Sequence, residues 1–248
     1  MFVNYDILGV PISNITLNDA VKHIASNLNR DDYNNKQIIF TPNPEFVINA
    51  LNDDEFMEIL NKSSFNIPDG IGIIIASKIL GHNINNRLPG FDLVQAVFED
   101  IQDKDITVYF LGSSEENINK AKSEMQKKYK NLKIIGCRNG YFKSDEDNII
   151  IQEINSLSPD LLLVGLGSPR QEKWIYNNKD KLKAKVMIGV GGSFDVMSGN
   201  VKRAPEFFIK YNLEWFYRLI TQPKRFIRML KLPLFLIKVI IFKLFKIK

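Results

Sequence analysis

The stretch Asp160-Leu161-Leu162-Leu163-Val164-Gly165-Leu166-Gly167-Ser168-Pro169-Arg170-Gln171-Glu172 decides the fold. A short, wholly apolar run breaks at two glycines and passes into a polar segment with helical spacing. It reads as strand, turn and helix, and a strand with no polar face belongs in a sheet covered on both sides.

Working outward, the same alternation recurs. Apolar, β-branched runs predict strands at Gln37–Thr41, Phe65–Ile67, Ile106–Leu111, Lys133–Gly136, Asp160–Gly165 and Lys185–Val190. Amphipathic stretches between them predict helices at Thr16–Asn29, Glu45–Asn61, Ile71–Leu80, Phe91–Ile101, Glu115–Lys130, Asp145–Leu157 and Pro169–Leu182. This order predicts an α/β protein with a Rossmann-like parallel sheet flanked by helices. Such sheets bind ligands beyond the carboxyl ends of their strands. Four strand ends therefore carry the functional reading: Thr41-Pro42-Asn43-Pro44-Glu45, Pro68-Asp69-Gly70-Ile71-Gly72, Gly165–Glu172, and Gly189-Val190-Gly191-Gly192-Ser193-Phe194-Asp195.

Composition bounds the rest. With 248 residues, 45% of them hydrophobic, the chain can bury a sizeable core. Cys137 is the one cysteine, so no internal disulfide is expected and a reducing compartment suits the chain. The start, Met1–Asp6, carries no basic segment followed by an apolar run, and a cytoplasmic protein is expected. Net charge is +5, but nine basic and no acidic residues follow Tyr217, leaving residues 1–217 at −4. The basic balance therefore belongs to the tail, and a general nucleic-acid surface is not supported.

The tail changes character after Pro205. Its longest apolar run, Leu232–Ile237, falls far short of the roughly 20 residues that cross a bilayer. On a helical projection Lys224, Arg225, Arg228, Lys231, Lys238, Lys243 and Lys246 fall within about 140°, opposite Leu, Ile, Phe and Val. That pattern predicts a helix lying in the interface of an anionic membrane, with a kink at Pro233; an oligomerisation helix with a solvated basic face is the alternative. The expected division is 1–205 as the α/β domain and 206–248 as a basic amphipathic appendage.

The motifs have structural and chemical readings side by side. Pro68-Asp69-Gly70 is good turn chemistry, and on the triplet alone a turn is the simpler reading. At a strand's carboxyl end the Asp69 carboxylate is also placed to take a proton from an acceptor hydroxyl. Asn43 before Pro44 reads as a helix N-cap, while Thr41 and Asn43 are equally suited to orient a sugar. Ser168 and Gln171 have capping-box spacing, and the same helix start suits a phosphate, with Arg170 or Gln171 touching the donor. Arg87 reads as a surface charge or, facing inward, as a diphosphate partner.

Gly189, Gly191 and Gly192 look like a nucleotide loop, but the third position of the dinucleotide fingerprint falls on Phe194, and no P-loop sequence exists. His23 and His82 lack ligand-spaced companions, and Asp103-Lys104-Asp105 and Asp145-Glu146-Asp147 read as solvated charge, so no metal is expected. A dinucleotide-dependent oxidoreductase and a non-catalytic membrane adaptor remain as readings from other classes.

Together these motifs resemble the WecG/TagA/CpsF family of bacterial glycosyltransferases. The resemblance runs through Thr41–Glu45, Asp69-Gly70-x-Gly72, Arg87-x-x-Gly90-x-Asp92-Leu93, Gly140-Tyr141-Phe142 and Gly165-Leu166-Gly167-x-Pro169-x-Gln171-Glu172. It continues through Gly189–Asp195, Lys202-Arg203-Ala204-Pro205, Glu214-Trp215-x-x-Arg218-Leu219 and Pro223-x-Arg225-x-x-Arg228. The apolar end after Lys231 lies beyond these motifs.

The resemblance implies inverting, metal-independent transfer without a cofactor. Asp69 matches the general base, and Thr41, Asn43, Arg87 and Gln171 match residues lining the site. Tyr141 and Asp195 match positions near the donor nucleotide, with Gly189, Gly191 and Gly192 beside them. Arg218, Arg225 and Arg228 match arginines that grip the acceptor's diphosphate. The TagA-type branch is the nearest. It implies transfer of N-acetylmannosamine from its UDP form to undecaprenyl-diphosphate-N-acetylglucosamine, in the wall teichoic acid linkage unit, on the inner face of the plasma membrane. Donors carrying N-acetylmannosamine uronic acid or glucose remain open, as does oligomerisation; nucleic acid is not an expected partner.

Overall fold

The computed structural model describes residues 2–221 and 230–245, without the Arg218 side chain. Contacts divide the chain into two compact units, one of residues 1–16, 41–89 and 203–248, the other of residues 17–40 and 90–202.

The second unit holds the parallel sheet. Its strands are β3 (Gln37–Phe40), β5 (Thr107–Gly112), β6 (Lys133–Arg138), β7 (Leu161–Gly165) and β8 (Val186–Gly189). Their order is β3-β8-β7-β5-β6, and every pair is parallel. Leu161 stands opposite Val186 and Val108, and the register carries Gly165 opposite Gly112. Leu161, Leu162, Leu163 and Val164 are completely buried, as are Val186, Met187 and Ile188. This is what strands covered on both faces require, and it explains why the sequence shows runs rather than alternation. The helices of this unit are α1 (Leu17–Leu28), α5 (Gly90–Ile101), α6 (Glu115–Lys128), α7 (Asp147–Leu157), α8 (Arg170–Asn178) and α9 (Ser193–Met197).

An ion pair closes the sheet's amino edge. Lys185 Nζ lies 2.8 Å from Asp160 Oδ1, with about a tenth of each side chain exposed. Asp160 Oδ2 also accepts from Thr107 N and Oγ1, both at 2.8 Å. The first residues of β5 and the residues just before β7 and β8 are thereby stapled together.

In the first unit, β1 (Val3–Ile7) and β2 (Val10–Asn14) form an antiparallel hairpin absent from the predicted elements. Its turn puts both Leu8 (φ 55°) and Gly9 (φ 89°) in the left-handed region. Next come α2 (Pro44–Ala50), α3 (Asp54–Asn61), β4 (Phe65–Asn66) and α4 (Ile71–Leu80). The single helix expected over Glu45–Asn61 is thus two, because the Asp53 carboxylate accepts from Phe56 N at 3.0 Å and starts a new helix there.

The tail adds α10 (Glu206–Lys210), α11 (Glu214–Thr221) and α12 (Lys231–Phe245). Pro233 is the third residue of α12, in the first turn, where its missing N–H costs no helical hydrogen bond. Phe235 and Val239 are completely buried where α12 packs on α2 and α4. Around them Leu234, Ile237, Ile240, Ile241, Phe242, Leu244 and Phe245 are exposed. Lys231, counted from the sequence in the basic face of the tail helix, bonds Asn49 at 2.7 Å and Glu45 at 3.3 Å. No helix among the described residues is long and apolar enough to cross a membrane.

Candidate active site

Three loops of the first unit converge through their backbones. Asp69 N donates to Pro42 O at 3.1 Å, and Leu88 N donates to Pro68 O at 2.8 Å. The Thr41–Pro44, Pro68–Gly72 and Arg87–Leu88 segments are therefore stitched into one assembly. Gly70 opens α4 at φ 86°, and a Cβ there would rest on Asn43 and Pro44. Gly72 has no room for one, since it would come within 2.7 Å of Leu232 and closer still to Pro44.

Thr41 is buried and Asp69 half-buried. Asn43 caps α2, its Oδ1 accepting from Glu45 N at 2.8 Å and Phe46 N at 3.2 Å. The capping role read from the sequence is real, and the Nδ2 donor remains available to a hydroxyl or phosphate. Arg87 is mostly buried and forms an ion pair through Nη2 with Glu214 at the start of α11. The pair uses one of five guanidinium donors, so Arg87 is oriented without being consumed.

The second unit carries the other predicted positions. Gln171, 1% exposed, does not form the capping box that its spacing from Ser168 suggests. The helix begins later, at Arg170, and no side chain caps it. Instead, Gln171 Oε1 accepts from Gly191 N at 3.0 Å and its Nε2 donates to Glu172 Oε1 at 2.6 Å. Arg170 donates to the carbonyls of Gly140 at 2.9 Å and Phe142 at 2.8 Å, which ties it to the loop after β6. On that loop Tyr141 is 81% exposed. Asp195 Oδ1 accepts from Ser113 Oγ at 2.9 Å and Asn117 Nδ2 at 3.1 Å, linking the first turn of α9 to the start of α6. A groove of about 490 Å³ lined by Phe142, Asp147, Arg170, Lys173 and Trp174 flanks this loop; of the candidate residues read from the sequence, Arg170 lines it. Arg225 and Arg228 lie outside the described residues, as does the Arg218 side chain.

Glu172 and Glu214 were passed over as individual residues. Glu172 is wholly buried, and burial raises its carboxyl to about 7, against the pull of the Gln171 amide and the nearby Ser168 hydroxyl. Its one sequence signal is a charged side chain directly after a glutamine at a strand-to-helix junction. Glu214 is the last acidic residue before the basic tail, which singles it out as a partner for a cation.

The profile of the glycosyl transferase WecG/TagA/CpsF family matches residues 5–248, including the apolar end beyond Lys231. An N-acetylglucosaminyldiphosphoundecaprenol N-acetyl-beta-D-mannosaminyltransferase of Bacillus subtilis (strain 168) is 37% identical over 203 residues, 82% of this chain and 78% of its own. The enzyme of the same name from Staphylococcus aureus (strain NCTC 8325 / PS 47) is 34% identical over 234 residues, 94% of this chain and 91% of its own. A parallel α/β sheet with its candidate residues on loops after the strands is an architecture shared by many nucleotide-binding enzymes. This chain belongs to the WecG/TagA/CpsF family of glycosyltransferases.

Proposed function

We propose that the chain transfers N-acetylmannosamine from UDP-N-acetylmannosamine to undecaprenyl-diphosphate-N-acetylglucosamine with inversion, completing the disaccharide of the wall teichoic acid linkage unit. The names of the two relatives support the donor sugar and acceptor. The observation that carries the chemical reading is the pair of backbone bonds that join Asp69 to the Thr41–Asn43 loop and its neighbour Pro68 to the Arg87 loop.

The Asp69 carboxylate takes the proton of the acceptor's sugar hydroxyl as its oxygen attacks the donor's anomeric carbon. The bond from that carbon to the β-phosphate oxygen breaks, and UDP leaves with the electron pair. Inversion follows from a single displacement. Thr41 and Asn43 orient the acceptor sugar. Arg87, held by Glu214, and the tail arginines Arg218, Arg225 and Arg228 counter diphosphate charge. In the second unit Gln171 serves catalysis, while Tyr141, Gly189, Gly191, Gly192 and Asp195 serve the donor. No cofactor or metal takes part in this scheme.

The segment from 206 to 248 meets the membrane. Two features support this: the exposed apolar residues of α12, and the exposed Phe207, Tyr211, Trp215 and Phe216 of α10 and α11 and the residues just beyond them. The setting is the inner leaflet, reached from the cytoplasm. Ile241→Glu alters the exposed face and leaves Phe235 and Val239 seated, so it should lower cosedimentation with anionic vesicles without lowering Tm. Unchanged vesicle binding would remove α12 from the contact.

Asp69→Asn should cut transfer by about 10²–10⁴-fold while UDP binding, read by calorimetry, persists. Turnover near wild type would remove Asp69 as the base. Running the same assay with UDP-glucose and the uronic acid donor distinguishes the sugars.

A further inference from the structure

The buried carboxyl of Glu172 has no place in the scheme above, yet it sits one bond from it. Glu172 is 0% exposed, and its Oε2 has no hydrogen-bond partner among the described residues. Its Oε1 receives Gln171 Nε2 at 2.6 Å, and Gln171 Oε1 in turn receives Gly191 N–H at 3.0 Å. Only one orientation of the amide satisfies both neighbours: nitrogen toward the carboxyl oxygen Oε1, oxygen toward the backbone donor. The Glu172 carboxyl therefore selects the rotation of the Gln171 amide, and the amide selects the position of Gly191. Gly189, the last residue of β8, leaves space for this arrangement. A Cβ there would stand 2.9 Å from Gln171 Nε2 and 3.3 Å from Glu172 Oε1.

Stability does not account for this carboxyl. A buried acid with one oxygen unmet costs more than an apolar side chain of the same shape. Groups kept at such a cost are found where activity needs them.

We infer that Glu172 is a positioning residue for sugar transfer: it locks the Gln171 amide and, through it, the Gly189–Gly192 turn in the shape that receives the donor. The inference deepens the transfer reaction proposed above and rests on it for its kinetic readout.

The test compares Glu172→Met and Glu172→Gln in the full chain. Methionine matches the volume and removes the acceptor; glutamine restores an acceptor oxygen for Gln171. Glu172→Met should keep or raise Tm, lower kcat about 10–100-fold, and speed amide exchange at Gly191 while Val164 and Ile188 exchange as in wild type. Glu172→Gln should recover kcat to within a few-fold and re-protect Gly191. Wild-type kcat and a protected Gly191 in Glu172→Met would overturn the inference. So would loss of the fold in Glu172→Met, since that marks the carboxyl as a structural element. If the wild-type chain transfers from no UDP-sugar, the reaction assignment falls, and the Gly191 exchange still decides whether Glu172 sets the turn.

Discussion

The two edges of the parallel sheet treat buried charge in opposite ways. At the amino edge, Asp160 spends both oxygens, on Lys185 and on Thr107, and Lys185 also donates to Leu28 O at 3.2 Å. At the carboxyl edge, Glu172 is more deeply buried but, among the described residues, bonds through one oxygen only. There β5, β7 and β8 end in Gly112, Gly165 and Gly189, and side-chain bonds from Gln171, Ser113 and Asn117 hold the segments beyond. One edge satisfies its buried charges on both sides; the other leaves a buried carboxyl oxygen unmet beside tightly spaced glycines.

The largest effect that would sharpen this contrast is at the closed edge. Asp160→Ala leaves Lys185 buried without its partner and should cost about 3–5 kcal/mol of folding stability in chemical denaturation. Activity per folded molecule should stay near wild type, and a selective loss of turnover would break the contrast.

At the open edge, the Glu172 carboxyl is raised to about 7 by burial, above the 4.5 of a free side chain. The folded chain therefore holds a proton that the unfolded chain releases between those values. The stabilisation is full below about 4.5 and is lost as pH rises through 7. Between pH 5 and 8 the loss should be on the order of 2 kcal/mol, and Glu172→Gln should flatten it. An unchanged pH profile would show that the residue is not buried as an acid.

The smallest effect belongs to Ser113→Ala, which removes one bond to Asp195 while Asn117 keeps the other. It should cost about 1 kcal/mol or less in Tm-derived stability. A larger loss would mean that the open edge is stapled as firmly as the closed one.

The sheet was legible because both faces are covered: Leu161–Val164 and Val186–Ile188 are apolar throughout, and the strand predictions fell within a residue or two of the observed ends. The hairpin was not, since Leu8 occupies a turn position with φ 55° that favours glycine or asparagine, and Asn4 and Asp6 dilute the strand signal. One helix ended at Ala50 and Asp53 capped the next, without a proline or glycine to mark the break. The loops of the candidate site were legible as strand ends. The partners of their side chains were not, because Gln171 reaches Gly191 and Arg87 reaches Glu214 across 20 and 127 residues of sequence. Ser168 and Gln171 had ideal spacing for a cap, and a buried carboxylate next in sequence drew Gln171 elsewhere.

Gly72 carries one more consequence. Its bare Cα is what lets Leu232 of the terminal helix lie against the first turn after Asp69 while Pro44, next to Asn43, presses from the other side. Loop and helix thus share a single mould, so the energy of seating one is written into the energy of shaping the other. Any coupling between a ligand bound at those loops and the seating of the terminal helix is reciprocal, the same free energy read from either side.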